Sequence, residues 1–213
     1  MKMKPLSILK IVLFLTFPLT LSAAPKKITI LHTNDLHSHL LGFSPTIDYS
    51  PQTLNDDKTM GGYSRIATFV KNIRKNTDNP VFYLDGGDFS MGTPFHLGIM
   101  DTGFELNIMK AIGVDATTLG NHEFDFRPKG LAKIVLSAIK NGEIPVLTNS
   151  NIKFSQKSDA DDTLEELFKD GTIKNYSILE KQGIRIGIYG IIGKDAIKVP
   201  PNSKPIEYQD PKK

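Results

Sequence analysis

Three short stretches hold residue types suited to binding a metal ion or moving a proton. The first is His32-Thr33-Asn34-Asp35-Leu36-His37-Ser38-His39. Asp35 and His37 are two apart, so an extended backbone sends both side chains to one side, where a carboxylate and an imidazole can share a divalent ion. The same residues also suit a polar loop whose side chains bond turn amides. The second is Asp85-Gly86-Gly87-Asp88. Its glycines permit a tight turn with space around the acid, and the two oxygens of Asp88 could bridge two cations, although Gly-Gly-Asp is also a common turn. Asp85 reads as a residue that orients a neighbour or accepts turn amides. The third is Gly120-Asn121-His122-Glu123-Phe124-Asp125. Asp125 is placed to hydrogen-bond the His122 ring, fixing its tautomer and supporting its protonated form, and the Asn121 amide oxygen suits a hard or borderline cation. A purely structural histidine is the competing reading of His122.

Other polar residues read more plainly. His32 lies in an apolar run and suits a core or supporting role. His39 could face a substrate, and His96, after a Gly-Thr-Pro turn, reads as exposed. Asp115 and Glu123 read as structural or as supports behind the site residues. Gly190-Ile191-Ile192-Gly193-Lys194 lacks the glycine spacing and the Ser or Thr of a phosphate loop.

Each motif follows a short apolar run. Lys27–His32, Val81–Leu84, Asp115–Leu119 and Ile144–Thr148 read as strands, the first apolar enough to be buried on both faces. Residues 41–60 form a long polar loop. Tyr63, Ile66, Ala67, Val70 and Ile73 recur at helical spacing between Gly61-Gly62 and the break at Asn76 to Pro80. Thr102 and Glu105 suggest a capping box for a helix ending at Ile112 before Gly113. Pro128 opens a helix with Leu131, Ile134, Val135, Ala138 and Ile139 on its apolar face, closed by Gly142. Residues 153–163 read as loop and Leu164–Lys169 as a short helix. Ile173–Leu179 and Ile184–Ile192 read as a hairpin, and a proline-rich tail follows Val199. The alternation predicts an α/β fold whose strands feed polar loops.

Composition narrows the class. The chain has 213 residues, 39% of them hydrophobic, and no cysteine, which excludes disulfides, thiolate metal sites and a cysteine nucleophile. The net charge is +3, from 26 basic and 23 acidic residues. Residues 1–24 contain Lys2, Lys4 and Lys10 and no acid, so the remainder balances at zero and no nucleic-acid polymer is expected as a partner. Their basic start, the apolar run Ile11–Leu21 and Ser22-Ala23-Ala24 read as a secretory signal. The run is well short of the roughly 20 residues that span a bilayer, so no membrane anchor is expected after cleavage. The expected location is the periplasm, the extracellular space or the cell surface.

Taken together and in this order, D-x-H, G-G-D and G-N-H-E-x-D at successive strand ends resemble the calcineurin-like metallophosphoesterases. Ile30 to His37, Gly61-Gly62-Tyr63-Ser64-Arg65, Gly87 to Thr93, Gly120 to Asp125 and Ile144 to Asn149 are similar to the bacterial 5′-nucleotidase, UDP-sugar hydrolase and 2′,3′-cyclic phosphodiesterase family within it. The likeness extends over about residues 27 to 195. It implies an α-β-β-α sandwich of mixed sheets and two divalent ions of the Mn, Zn or Fe type. It also implies that Asp35 and His37 hold the first ion, that Asp88 bridges, and that Asn121 holds the second. His122 would then act on phosphate-ester oxygens with Asp125 as its partner. The implied reaction is hydrolysis of a nucleotide phosphoester by a metal-activated hydroxide. A 2′,3′-cyclic nucleotide, a nucleotide sugar or a thiosulfate-ester conjugate is the alternative substrate.

The family's further metal ligands are later histidines, and this sequence has none after His122. Residues 25–213 are therefore expected to be the N-terminal portion of the catalytic domain, incomplete at its C-terminus. That portion is read as inactive alone, or as completed by a C-terminal partner polypeptide.

Overall fold

The computed structural model describes residues 26–43, 59–198 and 202–210. The secretory signal and most of the 41–60 loop lie outside the described residues. The chain runs β1 (Thr29–Thr33), α1 (Tyr63–Lys75), β2 (Val81–Asp85), α2 (Ile99–Thr102), α3 (Phe104–Ala111), β3 (Ala116–Thr118) and α4 (Arg127–Asn141). It continues through β4 (Val146–Thr148), β5 (Ile152–Lys153), α5 (Asp162–Lys169), β6 (Ile173–Lys174), β7 (Tyr176–Lys181), β8 (Ile184–Tyr189) and β9 (Glu207–Tyr208).

Five strands pair in parallel in the order β1-β2-β3-β4-β6. Because this order follows the chain, right-handed crossovers place the connecting helices on one face of the sheet. The core lies there: Val70 of α1, Leu106 and Met109 of α3, Leu131 and Val135 of α4, and Leu164 of α5 are buried. These residues recur at helical spacing, so burying one stripe of each helix against the sheet supplies most of its stability. On α4 the stripe stops at Ala138, and Ile139 is exposed. The other face carries the antiparallel hairpin β7–β8. Lys181 ties that hairpin to the sheet, donating to the Val81 carbonyl (2.8 Å) and to Asp115 (2.6 Å), with its ammonium over the Phe82 ring.

Several local expectations change. Strand β1 is not buried on both faces: it is the sheet edge, its exposure alternates, and Ile28 and Ile30 are exposed. Apolar content reports what a strand could bury, whereas its place in the sheet decides what it does bury. Thr102 does not begin one continuous helix; it ends α2, the left-handed Gly103 (φ 61°) breaks the helix, and the Thr102 hydroxyl accepts the Phe104 amide at the start of α3 (3.4 Å). Glu105 does not reach back to it and is fully buried. The run Ile173–Leu179 divides at Asn175, because β6 pairs with β4 while β7 turns away to pair with β8. The tail is not merely a loop: β9 pairs with β5, and the Tyr208 ring meets Phe124 edge to face.

Candidate metal centre

The three motifs sit where adjacent parallel strands end at the same level. Thr33 of β1 pairs with Asp85 of β2, which pairs with Thr117 of β3. Asp85 clasps all three strands, accepting from the hydroxyls of Thr33 and Thr117 (2.7 Å each) and from the Gly87 amide (3.0 Å). Burial pushes its carboxyl pKa up, and those three hydrogen bonds pull it partly back. Asp85 thus accepts a turn amide, one of the two roles read for it, and also bonds the neighbouring threonine hydroxyls.

Beyond β1 and β2 the ladder continues into the loops. Asp35, His37 and Ser38 donate their amides to the carbonyls of Gly87, Asp88 and Phe89, at 3.0, 3.0 and 2.9 Å. The backbone is unusual here: Asp35 (φ 52°), His37 (φ 46°), Ser38 (φ 53°) and Asp88 (φ 52°) are left-handed. Such conformations cost about 1–3 kcal/mol each and persist only where surrounding bonds over-determine them. An extended segment was the premise for placing Asp35 and His37 on one side. The turn achieves proximity differently, leaving His37 Nε2 at 3.5 Å from Asp35 Oδ1. Gly120 is required by close approach, because a Cβ there would lie 2.1 Å from Asp88 Oδ1.

His37, Asp88 and His122 each offer a donor atom, all within 4.8 Å of one another. The rings of His37 and His122 meet edge-on at 5.0 Å. Asp88 Oδ1 accepts the His122 amide at 2.9 Å, which joins the second and third motifs. Asp35, Asp88 and Asn121 line a cleft of about 150 Å³ together with Ile191, Ile192 and Gly193. Asp125 Oδ2 lies 2.9 Å from His122 Nδ1, so the other ring nitrogen remains for the cluster. The carboxylate of Asp88 and the imidazole of His37, whose Nδ1 is buried and without a protein partner, suit a borderline divalent cation, and His122 stands within reach of the same place. Every residue singled out for the site, Asp35, His37, Asp88, Asn121, His122 and Asp125, is therefore in this one region.

Two neighbours shape the site: Glu123 takes the supporting role read for it, and His96 departs from its reading. Glu123 is completely buried and accepts the amides of Asp88 (2.9 Å), Gly120 (2.6 Å) and Ser90 (3.2 Å), and the Ser90 hydroxyl (3.1 Å). Burial, then the charge of Asp88, pushes its carboxyl up to about 7 against those hydrogen bonds. An acid enclosed between His122 and Phe124 was the available signal. His96 is half-buried rather than exposed. It stacks on Phe126 with ring centroids 4.7 Å apart, and its Nδ1 accepts the Met91 amide. Burial holds its pKa below the usual value, against the opposing charge of Asp125.

His32 is exposed on the edge strand and not in the core, and His39 packs near Phe43. Asp115 is structural, held by Arg74, Lys181 and the Tyr83 amide. Gly190 packs where a Cβ would lie 2.0 Å from Thr118 Oγ1, which accounts for that glycine without a phosphate.

Known proteins resemble this chain in sequence and fold. A model of the calcineurin-like phosphoesterase family matches residues 28–187. The 5′-nucleotidase of Rattus norvegicus is 35% identical over 179 residues, covering 84% of this chain and 28% of that protein. An apyrase of Tabanus yao is 35% identical over 170 residues, 79% of this chain and 27% of that protein. The crystal structure of a 5′-nucleotidase precursor from Thermus thermophilus superposes with a TM-score of 0.64 at 26% identity, covering 86% of this chain and 32% of that one. The chain thus spans less than a third of the length of these relatives. Sequence match and strand-end geometry agree, and the chain belongs to the calcineurin-like phosphoesterase family of hydrolases.

Proposed function

We propose that this chain carries the first part of a metal-dependent centre that hydrolyses nucleotide phosphoesters. The observation that carries the reading is the convergence of His37, Asp88 and His122 within 4.8 Å at the ends of β1, β2 and β3. The nucleotide substrate is supported by the names of the 5′-nucleotidase and apyrase relatives.

In this reading Asp35, His37, Asp88 and Asn121 would together hold two divalent cations. Bound there, such ions would supply Lewis-acid stabilisation of phosphoryl charge and activation of water. Asp125 orients the His122 ring so that its second nitrogen faces the cleft, where it can carry a proton or hydrogen bond to a phosphate-ester oxygen. Glu123 and Asp85 keep the loops at the distances this requires.

The four assigned side chains would be fewer donors than two such ions usually take. We therefore read residues 25–213 as part of a catalytic domain whose full hydrolysis draws on donors outside this sequence. Residues 1–24 support export. Among the described residues no helix is long and apolar enough to cross a membrane.

The test is calorimetric titration of the purified chain with Mn²⁺, alongside phosphate release from 5′-AMP. Asp88→Asn is expected to lose Mn²⁺ binding; unchanged affinity would overturn the site. Turnover by the 213-residue chain that Asp88→Asn abolishes would remove the need for outside donors.

A further inference from the structure

The segment that leads from Asp88 to α2 is held by a histidine that the site itself does not use. Met91 is left-handed (φ 70°), and Gly92 follows at φ 117°. This turn packs directly on the first motif. A Cβ at Gly92 would lie 2.6 Å from the His37 carbonyl oxygen and 3.0 Å from the His37 Cβ, and the Thr93 hydroxyl donates to the Ser38 carbonyl at 2.7 Å. Movement of residues 91–93 is therefore passed to His37. A left-handed residue other than glycine persists only where its surroundings fix it. Here His96 Nδ1 accepts the Met91 amide at 3.0 Å. That bond requires a neutral ring protonated on Nε2, and burial, which holds the His96 pKa below its usual value, favours the neutral form.

The face of the same ring meets the third motif. His96 lies almost flat on Phe126, with centroids 4.7 Å apart and 15° between the planes. Phe126 directly follows Asp125, the partner of His122. It is itself fixed at the start of α4: its carbonyl accepts the Gly130 amide at 3.2 Å, and a Cβ at Gly130 would lie 2.4 Å from the Phe126 Cβ. His96 thus stands between two loops, one packed on His37 and one carrying His122. Because the His37 and His122 rings meet edge-on at 5.0 Å, a tie between these loops bears on the spacing of the two rings.

We propose that His96 is a positioning residue for the His37–His122 pair: by accepting the Met91 amide and stacking on Phe126, it sets the distance between the turn packed on His37 and the loop that carries His122. It acts through the two loops and not on the cation. The proposal rests on the reading of His37 as a metal donor and of His122 as the group that meets the phosphate ester.

Ring-proton NMR signals of His37 and His122 in the metal-free full chain, together with Mn²⁺ affinity, test this. His96→Ala is expected to move both sets of ring signals, since edge-on aromatic contact makes them sensitive to spacing. It should also weaken Mn²⁺ binding by roughly tenfold or more, the usual effect of removing groups that orient a ligand. His96→Asn keeps an acceptor without the stack, and His96→Phe keeps the stack without the acceptor. Each restores only part of the affinity, with the Met91 amide protected from exchange in the first and not in the second. His96→Ala and Phe126→Leu cut one tie at two points, so the double variant should bind no more weakly than the weaker single. Leu106→Ala, a buried change on α3, lowers stability while leaving ring signals and affinity unchanged. If His96→Ala does not fold, His96→Phe carries the test, with moved ring signals and weaker binding expected. Unmoved ring signals, wild-type affinity, additive losses in the double variant, or an equal loss in Leu106→Ala overturns the proposal. If His37→Ala itself leaves Mn²⁺ binding intact, the reading of His37 fails, and the ring signals alone decide on His96.

Discussion

The buried carboxylate of Glu123 accepts the backbone amide of Asp88 at 2.9 Å, so an acid from the third motif sets the position of an acid in the second. The same carboxylate takes three further donors, from Gly120 and Ser90. Glutamine keeps the shape but turns an NH₂ group toward those donors. Glu123→Gln is expected to destabilise the metal-free chain by about 2–3 kcal/mol, with urea unfolding as the measurement.

Close approach at Gly120 gives a second expectation. A methyl group there meets Asp88 Oδ1 at 2.1 Å and Asp88 N at 2.6 Å, whereas at Gly187 it meets nothing within 4 Å. Gly120→Ala should cost about 1–3 kcal/mol and displace Asp88, while Gly187→Ala stays within about 0.5 kcal/mol. Paired thermal melts check the contrast.

A pH dependence follows from Glu105. Its folded pKa is about 7, against an ordinary value of 4.5, so between these values the folded chain binds more protons than the unfolded one. Its contribution to stability is full below about pH 4.5 and is lost as pH rises toward 7, at up to about 1.4 kcal/mol per pH unit. Glu123 acts in the same direction. Comparing urea midpoints of wild type and Glu105→Gln from about pH 4.5 to 8 isolates the effect, and the variant should show the shallower decline.

Asp115 joins α1, β2 and the hairpin. It accepts from Arg74 (3.2 Å), Lys181 (2.6 Å) and the Tyr83 amide (2.8 Å). Asp115→Ala leaves all three donors short of a partner and should cost about 2–3 kcal/mol. Lys181→Met, which keeps an apolar stem over Phe82, should cost about 1 kcal/mol. A double-mutant cycle by urea unfolding should give a coupling between the two.

The His122–Asp125 contact predicts a tautomer. With Asp125 accepting at 2.9 Å, the neutral ring carries its proton on Nδ1. Nitrogen NMR shifts of His122 should report that form in the wild type and lose the preference in Asp125→Ala. An unchanged tautomer would show that Asp125 does not orient the ring.

The motif loops were legible because their chemistry is local. Asp35-Leu36-His37, Gly87-Asp88 and Asn121-His122 announce donors and a tight backbone from neighbouring residues alone. Helices α1 and α4 were legible for a similar reason, since a period of about 3.6 is written into Tyr63 to Ile73 and Leu131 to Ala138. The edge position of β1, the division at Asn175 and the docking of β9 on β5 were not. Each depends on which strand pairs with which, and pairing partners lie tens of residues apart.

The sequence by itself determined the kinds of donor present and the parallel α/β scheme that carries each to a strand end. Only the tertiary structure decided that His122 joins His37 and Asp88, and that Glu123 holds both later motifs. Strand register and burial are properties of the folded sheet, set by contacts that no short stretch of chain contains.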